Sequence, residues 1–186
     1  MSDTLKGRIN LEKAAVMLLC PQQGMEVLAR VMEGFGMRHP YICHDAAKAM
    51  EICAQTDLDL ILCDGSLPGG AGYDFVAQLR RSDLDPNRFV PVMILQGHTP
   101  VDQIQKARDC GANFVVAKPI NPRLLLERIL WIAQETRPFI ELDDYVGPDR
   151  RFHDLGPPGG PGTGRRRSDK TGSSPKPLIN AEDSLL

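Results

Sequence analysis

Two short stretches toward the C-terminal end each pair an arginine with an aspartate three residues on: Arg151-Phe152-His153-Asp154 and Arg166-Arg167-Ser168-Asp169. Guanine gives a reason for the pairing. An arginine fork reaches O6 and N7 of that base with two parallel hydrogen bonds. An ionised aspartate accepts from N1–H and the exocyclic amine on the opposite edge. Further guanidinium planes stack on purine faces or neutralise phosphates. The two units themselves single out Arg151, Asp154, Arg166 and Asp169 as candidate guanine-reading residues. Tyr145 and Phe152 are candidate stacking partners, although packing is the plainer role for either ring; His153 is given none.

A blander reading competes. Between Gly147 and Lys170, five arginines and Lys170 face only Asp149, Asp154 and Asp169, which on charge alone describes a solvated basic tail or a nucleic-acid arm. The aspartates count against it, since they repel a phosphate ligand and help only where a base edge is read. A glycine- and proline-rich spacer separates the two units and is able to bend back on itself.

Ahead of these stretches, apolar runs and helical periodicities alternate. Ala14-Ala15-Val16-Met17-Leu18-Leu19, Leu58 to Cys63, Val90 to Leu95 and Phe114 to Ala117 are continuous enough for strands buried on both faces, with a shorter one around Tyr41-Ile42-Cys43. Between them, residues 25–32, 46–54 and 73–81 repeat apolar positions at helical spacing, with Gly34 as a stop for the first and Asp45 as a cap for the second. Pro100 opens a fourth helix and Gly111 closes it, and residues 124–134 make a fifth. Five strand–helix pairs predict an α/β fold with a doubly wound five-stranded parallel sheet and an arginine-rich C-terminal tail expected to be disordered. Working residues in such sheets lie beyond the carboxyl ends of the strands. Those positions are Cys20-Pro21, Asp64, Gln96-Gly97 and Lys118-Pro119.

The 186 residues suit one domain with an appendage, divided as a leader over 1–11, a domain over 12–137 and a flexible tail over 138–186 whose ligand-binding part runs over about 145–170. Truncation after Ile140 is expected to leave the domain folded. A hydrophobic fraction of 42% supplies a core, and a net charge of −2 predicts no general attraction to DNA or to a membrane. Met1 to Lys13 lacks the apolar stretch of a signal peptide and no segment has the length of a membrane helix, so a cytoplasmic location is expected. The five cysteines, Cys20, Cys43, Cys53, Cys63 and Cys110, have no CxxC spacing and read as reduced core thiols rather than metal ligands.

Asp64, Pro68 and Gly72 follow the pattern D-x-x-x-P-x-x-x-G, Lys118-Pro119 follows the fifth strand, and Gly111-Ala112 precedes it. Over about Val16 to Ala133 this resembles the CheY-like receiver family of response regulators. The departures are as informative. Receivers end their first strand on paired acids that hold Mg²⁺, where this chain has Cys20-Pro21-Gln22. They carry Thr or Ser after the fourth strand, where it has Gln96, and commonly Tyr or Phe three residues before the lysine, where it has Val115. A thiol and a proline ring cannot replace hard carboxylate ligands, and without the ion the charge on an attacking Asp64 and an incoming phosphoryl group stays uncompensated. Asp64 and Lys118 are thus expected as a structural ion pair at a vestigial phosphoacceptor site, with no enzymatic activity and no metal.

A degenerate receiver with an arginine-rich extension and paired R-x-x-D units resembles the Cle family of CheY-like proteins of Caulobacter. That resemblance implies cyclic di-GMP as the ligand, single or as a stacked dimer, and docking to the flagellar switch protein FliM, with recruitment to the motor at the cell pole. Carried onto this chain residue by residue, it implies Arg150, Arg151, Asp154, Arg166, Arg167 and Asp169 as the binding set, with Asp149 and Arg165 as outlying members. The alternatives left open are a phosphorylated single-domain response regulator whose tail binds a protein partner, and a nucleic-acid-binding adaptor.

Overall fold

The computed structural model describes residues 11–97, 101–133 and 137–149. Five strands, β1 Val16–Leu19, β2 Tyr41–Cys43, β3 Leu60–Asp64, β4 Val92–Gln96 and β5 Phe114–Ala117, form a parallel sheet in the order β2-β1-β3-β4-β5. The helices α1 Met25–Gly34, α2 Ala46–Gln55, α3 Ala71–Arg81, α4 Val101–Asp109 and α5 Pro122–Ala133 make the crossovers. The chain winds one way from β1 to β2 and the other way from β3 onward. The crevice this leaves at the carboxyl ends of β1 and β3 is where doubly wound sheets place their sites.

Alternation along the strands divides the core. Met17, Leu19, Ile61, Cys63, Val92 and Ile94 face Ala49 and Cys53 of α2 and Phe75, Val76 and Leu79 of α3. Val16, Leu18, Leu60, Leu62, Met93 and Leu95 face Leu28 and Met32 of α1 and Leu125, Ile129 and Ile132 of α5. With helices on both sides, the central strands need apolar residues at every position, which is why they read as unbroken runs. Asp45 caps α2 as its sequence position predicts, its carboxylate accepting from the Lys48 backbone N–H at 2.8 Å. All five cysteines are free and buried. No helix among the described residues is long and apolar enough to cross a membrane.

The folded unit does not stop at residue 137. Strands β6 Phe139–Glu141 and β7 Val146–Pro148 form an antiparallel hairpin, with Ile140, Tyr145 and Val146 buried. It closes between Leu142 and Tyr145, and Asp149 N–H returns to the Pro138 carbonyl at 2.9 Å. Its seat is built around Arg80 of α3, which is completely buried. The Arg80 fork donates to the carbonyls of Gly111 (3.0 Å) and Arg88 (2.7 Å) and to Asn113 Oδ1 (3.0 Å), and its plane lies 5.2 Å from the Phe139 ring centroid. Phe89 meets Phe139 edge to face, and Arg88 pairs with Glu141 at 3.0 Å. A side chain at Gly111 (φ +95°) would strike the Val146 carbonyl, so glycine there admits the hairpin.

Among the described residues the fold therefore continues past the boundary expected at 138, through Asp149. Two three-residue strands carry no readable period, and the groups that hold them, Arg80 and Gly111, lie far away in sequence.

Candidate functional site

Asp64 ends β3 at the mouth of the crevice with 4% of its surface exposed. Its Oδ2 accepts from the Lys118 ammonium, brought from just after β5. Its Oδ1 accepts from the Ser66 N–H (2.9 Å) and the Ser66 hydroxyl (2.7 Å). Both oxygens are thus engaged by the protein. The ion pair expected from the sequence forms, while Ser66, with nothing in the local pattern to mark it, was not anticipated.

Gln96 ends β4, one residue past the strand partner of Asp64, and is also buried. Its side-chain oxygen accepts from the hydroxyl of Tyr73, in the first turn of α3. The two side chains close over Gly65: a Cβ there would lie 3.0 Å from Gln96 Cδ and 2.8 Å from the Tyr73 oxygen. Tyr73 was also missed in the sequence, because the same residue satisfies the apolar period of α3. Burial raises the pKa of its phenol, keeping it a donor.

Cys20 follows β1 and is buried, with His44 Nδ1 donating to its carbonyl at 2.8 Å. Burial, followed by the Asp64 charge, raises the thiol's pKa, against an opposing effect of Lys118. Magnesium needs hard, charged oxygen donors in an octahedral set. Here a protonated thiol and the ringed nitrogen of Pro21 stand where such donors would be, and Asp64 is already bound to Lys118 and Ser66. The residues present do not fit the ion. Asp64 could attack a phosphoryl group only by releasing Lys118 or Ser66 from its carboxylate.

Comparison with known proteins agrees with this fold. The response regulator receiver domain profile matches residues 22–130. The chain belongs to that family. Among curated relatives, the sensory/regulatory protein RpfC of Xanthomonas campestris is 30% identical over 112 residues, covering 60% of this chain and 15% of RpfC. The phosphate regulon transcriptional regulatory protein PhoB of Escherichia coli K12 is 29% identical over 113 residues, covering 61% of this chain and 48% of PhoB. The chain thus spans less than half the length of these two relatives.

Among solved structures, the receiver domain of sensor histidine kinase PA1611 from Pseudomonas aeruginosa PAO1 has magnesium coordinated in its active-site cleft. It aligns with a TM-score of 0.57 at 21% identity, covering 63% of this chain and 95% of that one. Vibrio cholerae CheY4 aligns with a TM-score of 0.55, also at 21% identity, covering 64% and 98%. At such identities the likeness establishes the receiver fold.

Of the residues expected to contact a ligand, Tyr145 is buried in the hairpin, its hydroxyl donating to the Pro148 carbonyl at 2.8 Å. Asp149 is buried at the hairpin's end. Arg150, Arg151, Phe152, Asp154, Arg165, Arg166, Arg167 and Asp169 lie outside the described residues.

Proposed function

We propose that this receiver is a non-enzymatic cyclic di-GMP effector whose regulatory input has moved from Asp64 to the arginine-rich segment after Asp149. The observation that carries the reading is the internal saturation of Asp64 by Lys118 and Ser66, at a site whose first-strand acids are replaced by Cys20 and Pro21. A receiver without a phosphorylation switch needs another input. The paired units Arg151/Asp154 and Arg166/Asp169 supply one with the chemistry of guanine recognition. Two such units on one chain match a ligand with two guanines and two phosphates, bound singly or as a stacked dimer. The resemblance to the Cle family extends the proposal to the output, docking to the flagellar switch protein FliM, which would tune motility and draw a cytoplasmic protein to the motor.

Retention of Asp64 and Lys118 favours one second reading, a phosphorylated single-domain response regulator acting as a protein-interaction adaptor. Two measurements on the full chain separate them. Isothermal titration with cyclic di-GMP is expected to show saturable binding, and incubation with acetyl phosphate and magnesium is expected to leave Asp64 unlabelled. The opposite pair of results would establish the second reading.

A further inference from the structure

Residues 141–144, at the tip of the β6–β7 hairpin, are all exposed, although the strands that lead to them are seated on a buried arginine. Backbone bonds of 2.8 and 3.3 Å between Leu142 and Tyr145 close the tip, so the Leu142 side chain is not needed there, and the residue is 37% exposed. Phe139 and Glu141, two apart on β6, point to one side. There they meet Phe89, also 37% exposed, and its neighbour Arg88. The hairpin thus keeps apolar surface in contact with solvent at its base and at its tip.

The rim of this surface is acidic. Glu141 and Asp143 flank Leu142, Asp144 follows, and Asp83 and Asp85 are exposed on the loop that leads from α3 to Phe89. Arg88 joins the two segments, pairing with Glu141 at 3.0 Å and reaching Asp85 at 4.0 Å. Arg81 donates to the Asp144 carbonyl at 3.5 Å. Two guanidinium groups therefore stand among five carboxylates, and among the described residues Asp83, Asp143 and Asp144 have no side-chain partner. An apolar centre within a charged rim is the anatomy of a protein docking surface. The sign of the rim selects the occupant: a nucleic acid, an anionic bilayer or a second copy of this face would set negative charge against negative charge.

We infer that the hairpin tip and the loop from Asp83 to Phe89 form a docking surface for a basic amphipathic segment of another protein. Its apolar side rests on Phe89 and Leu142, and its lysines or arginines meet Asp83, Asp143 and Asp144. The apolar pair supplies the contact, while the carboxylates select the partner's charge and speed the encounter. Every residue of the surface precedes Asp149, so it stands or falls apart from the cyclic di-GMP reading.

The full chain is titrated calorimetrically with a synthetic amphipathic helical peptide of leucine and lysine, alongside an oligolysine of equal charge, and its self-association is followed by sedimentation. The surface predicts saturable binding of the leucine–lysine peptide, weakened by salt and much tighter than that of oligolysine. It also predicts about tenfold weaker binding for Leu142→Ser and for the combined Asp143→Asn and Asp144→Asn variant. Val27→Ser on α1, at an apolar residue that is 66% exposed, should bind like the parent. Each variant changes an exposed residue and should keep the parent's thermal transition. No binding, equally tight binding of oligolysine, or a Leu142→Ser variant that binds like the parent overturns the inference. A dimer that Leu142→Ser abolishes overturns it too, by identifying a second copy as the occupant.

Discussion

The Tyr73 hydroxyl donates to the side-chain oxygen of Gln96 directly over Gly65. A helix and a strand end are thereby joined across the place where receivers commonly present a small hydroxyl to a phosphoryl group. The longer Gln96 amide fills that place and is satisfied from within the protein, so the altered residue has acquired a structural partner rather than leaving a gap.

This contact is testable by a double-variant cycle. Gly65→Ala places a methyl group against Gln96 and Tyr73 and should cost about 1–2 kcal/mol in urea unfolding, as overpacking does. Gln96→Thr removes the Tyr73 acceptor and should cost about 1 kcal/mol. The two together should cost about 1 kcal/mol less than their sum, because the shorter side chain makes room for the methyl. Strict additivity would show that Gln96 does not occupy the space over Gly65.

Replacing Asp64 by Asn leaves Lys118 without its counter-charge, although Asn still offers an acceptor to Ser66. Lys118 keeps 30% of its side chain exposed. The loss should accordingly be about 1–2 kcal/mol, below that of a fully buried pair. Cyclic di-GMP affinity should not change. A drop in affinity with Asp64→Asn would mean that the old pocket takes part in ligand binding.

The sequence made the sheet legible because its central strands are apolar throughout, and it marked Asp64 and Lys118 because strand ends place them. Partners set by three-dimensional proximity were not legible. Ser66 and Tyr73 look ordinary in sequence, and the hairpin from Phe139 to Pro148 has strands too short for periodicity, with Arg80 and Gly111 as its seat. Tyr145 illustrates the ambiguity of an aromatic residue next to a charged stretch: its ring and hydroxyl are used inside the hairpin.

The hairpin leads to a prediction about truncation. A chain ending after Asp149 should unfold with the stability of the full chain to within about 0.5 kcal/mol. One ending after Pro138 loses the burial of Ile140, Tyr145 and Val146 and uncovers Phe139's side of Arg80. Offset by the entropy regained by the removed residues, the net loss should be about 1–3 kcal/mol, read as a lower urea midpoint. Equal midpoints for the two truncations would mean that the hairpin is not part of the cooperative unit.

The buried thiols predict alkaline instability. Burial pushes Cys43 up to about 12 and Cys53 and Cys110 up to about 11, from an ordinary 9.0. Above pH 9 the unfolded chain loses these protons while the native state keeps them, so the native state binds more protons and stability falls as pH rises. Burial shifts Arg80 in the direction that would oppose this, lowering its pKa. Its three nitrogens all donate to protein acceptors, however, and a guanidinium keeps its proton across this range, so it leaves the thiol effect in place. The urea midpoint should therefore fall most steeply between about pH 9 and pH 11, with thiolate absorbance appearing only on unfolding. Thiolate absorbance in the native protein near pH 9 would contradict this.

Whether the arginine-rich segment reads guanine or merely attracts anions is decided most directly by removing its aspartates. Cyclic di-GMP is titrated calorimetrically into the full chain and into its Asp154→Ala and Asp169→Ala variants. If the carboxylates accept from N1–H and the amine of guanine, each removal should weaken binding by about 1–3 kcal/mol, and cyclic di-AMP should bind the parent far more weakly than cyclic di-GMP. If the segment is only a basic arm, removing negative charge should tighten binding. Tighter binding in the aspartate variants, or equal affinity for the two dinucleotides, would contradict the account.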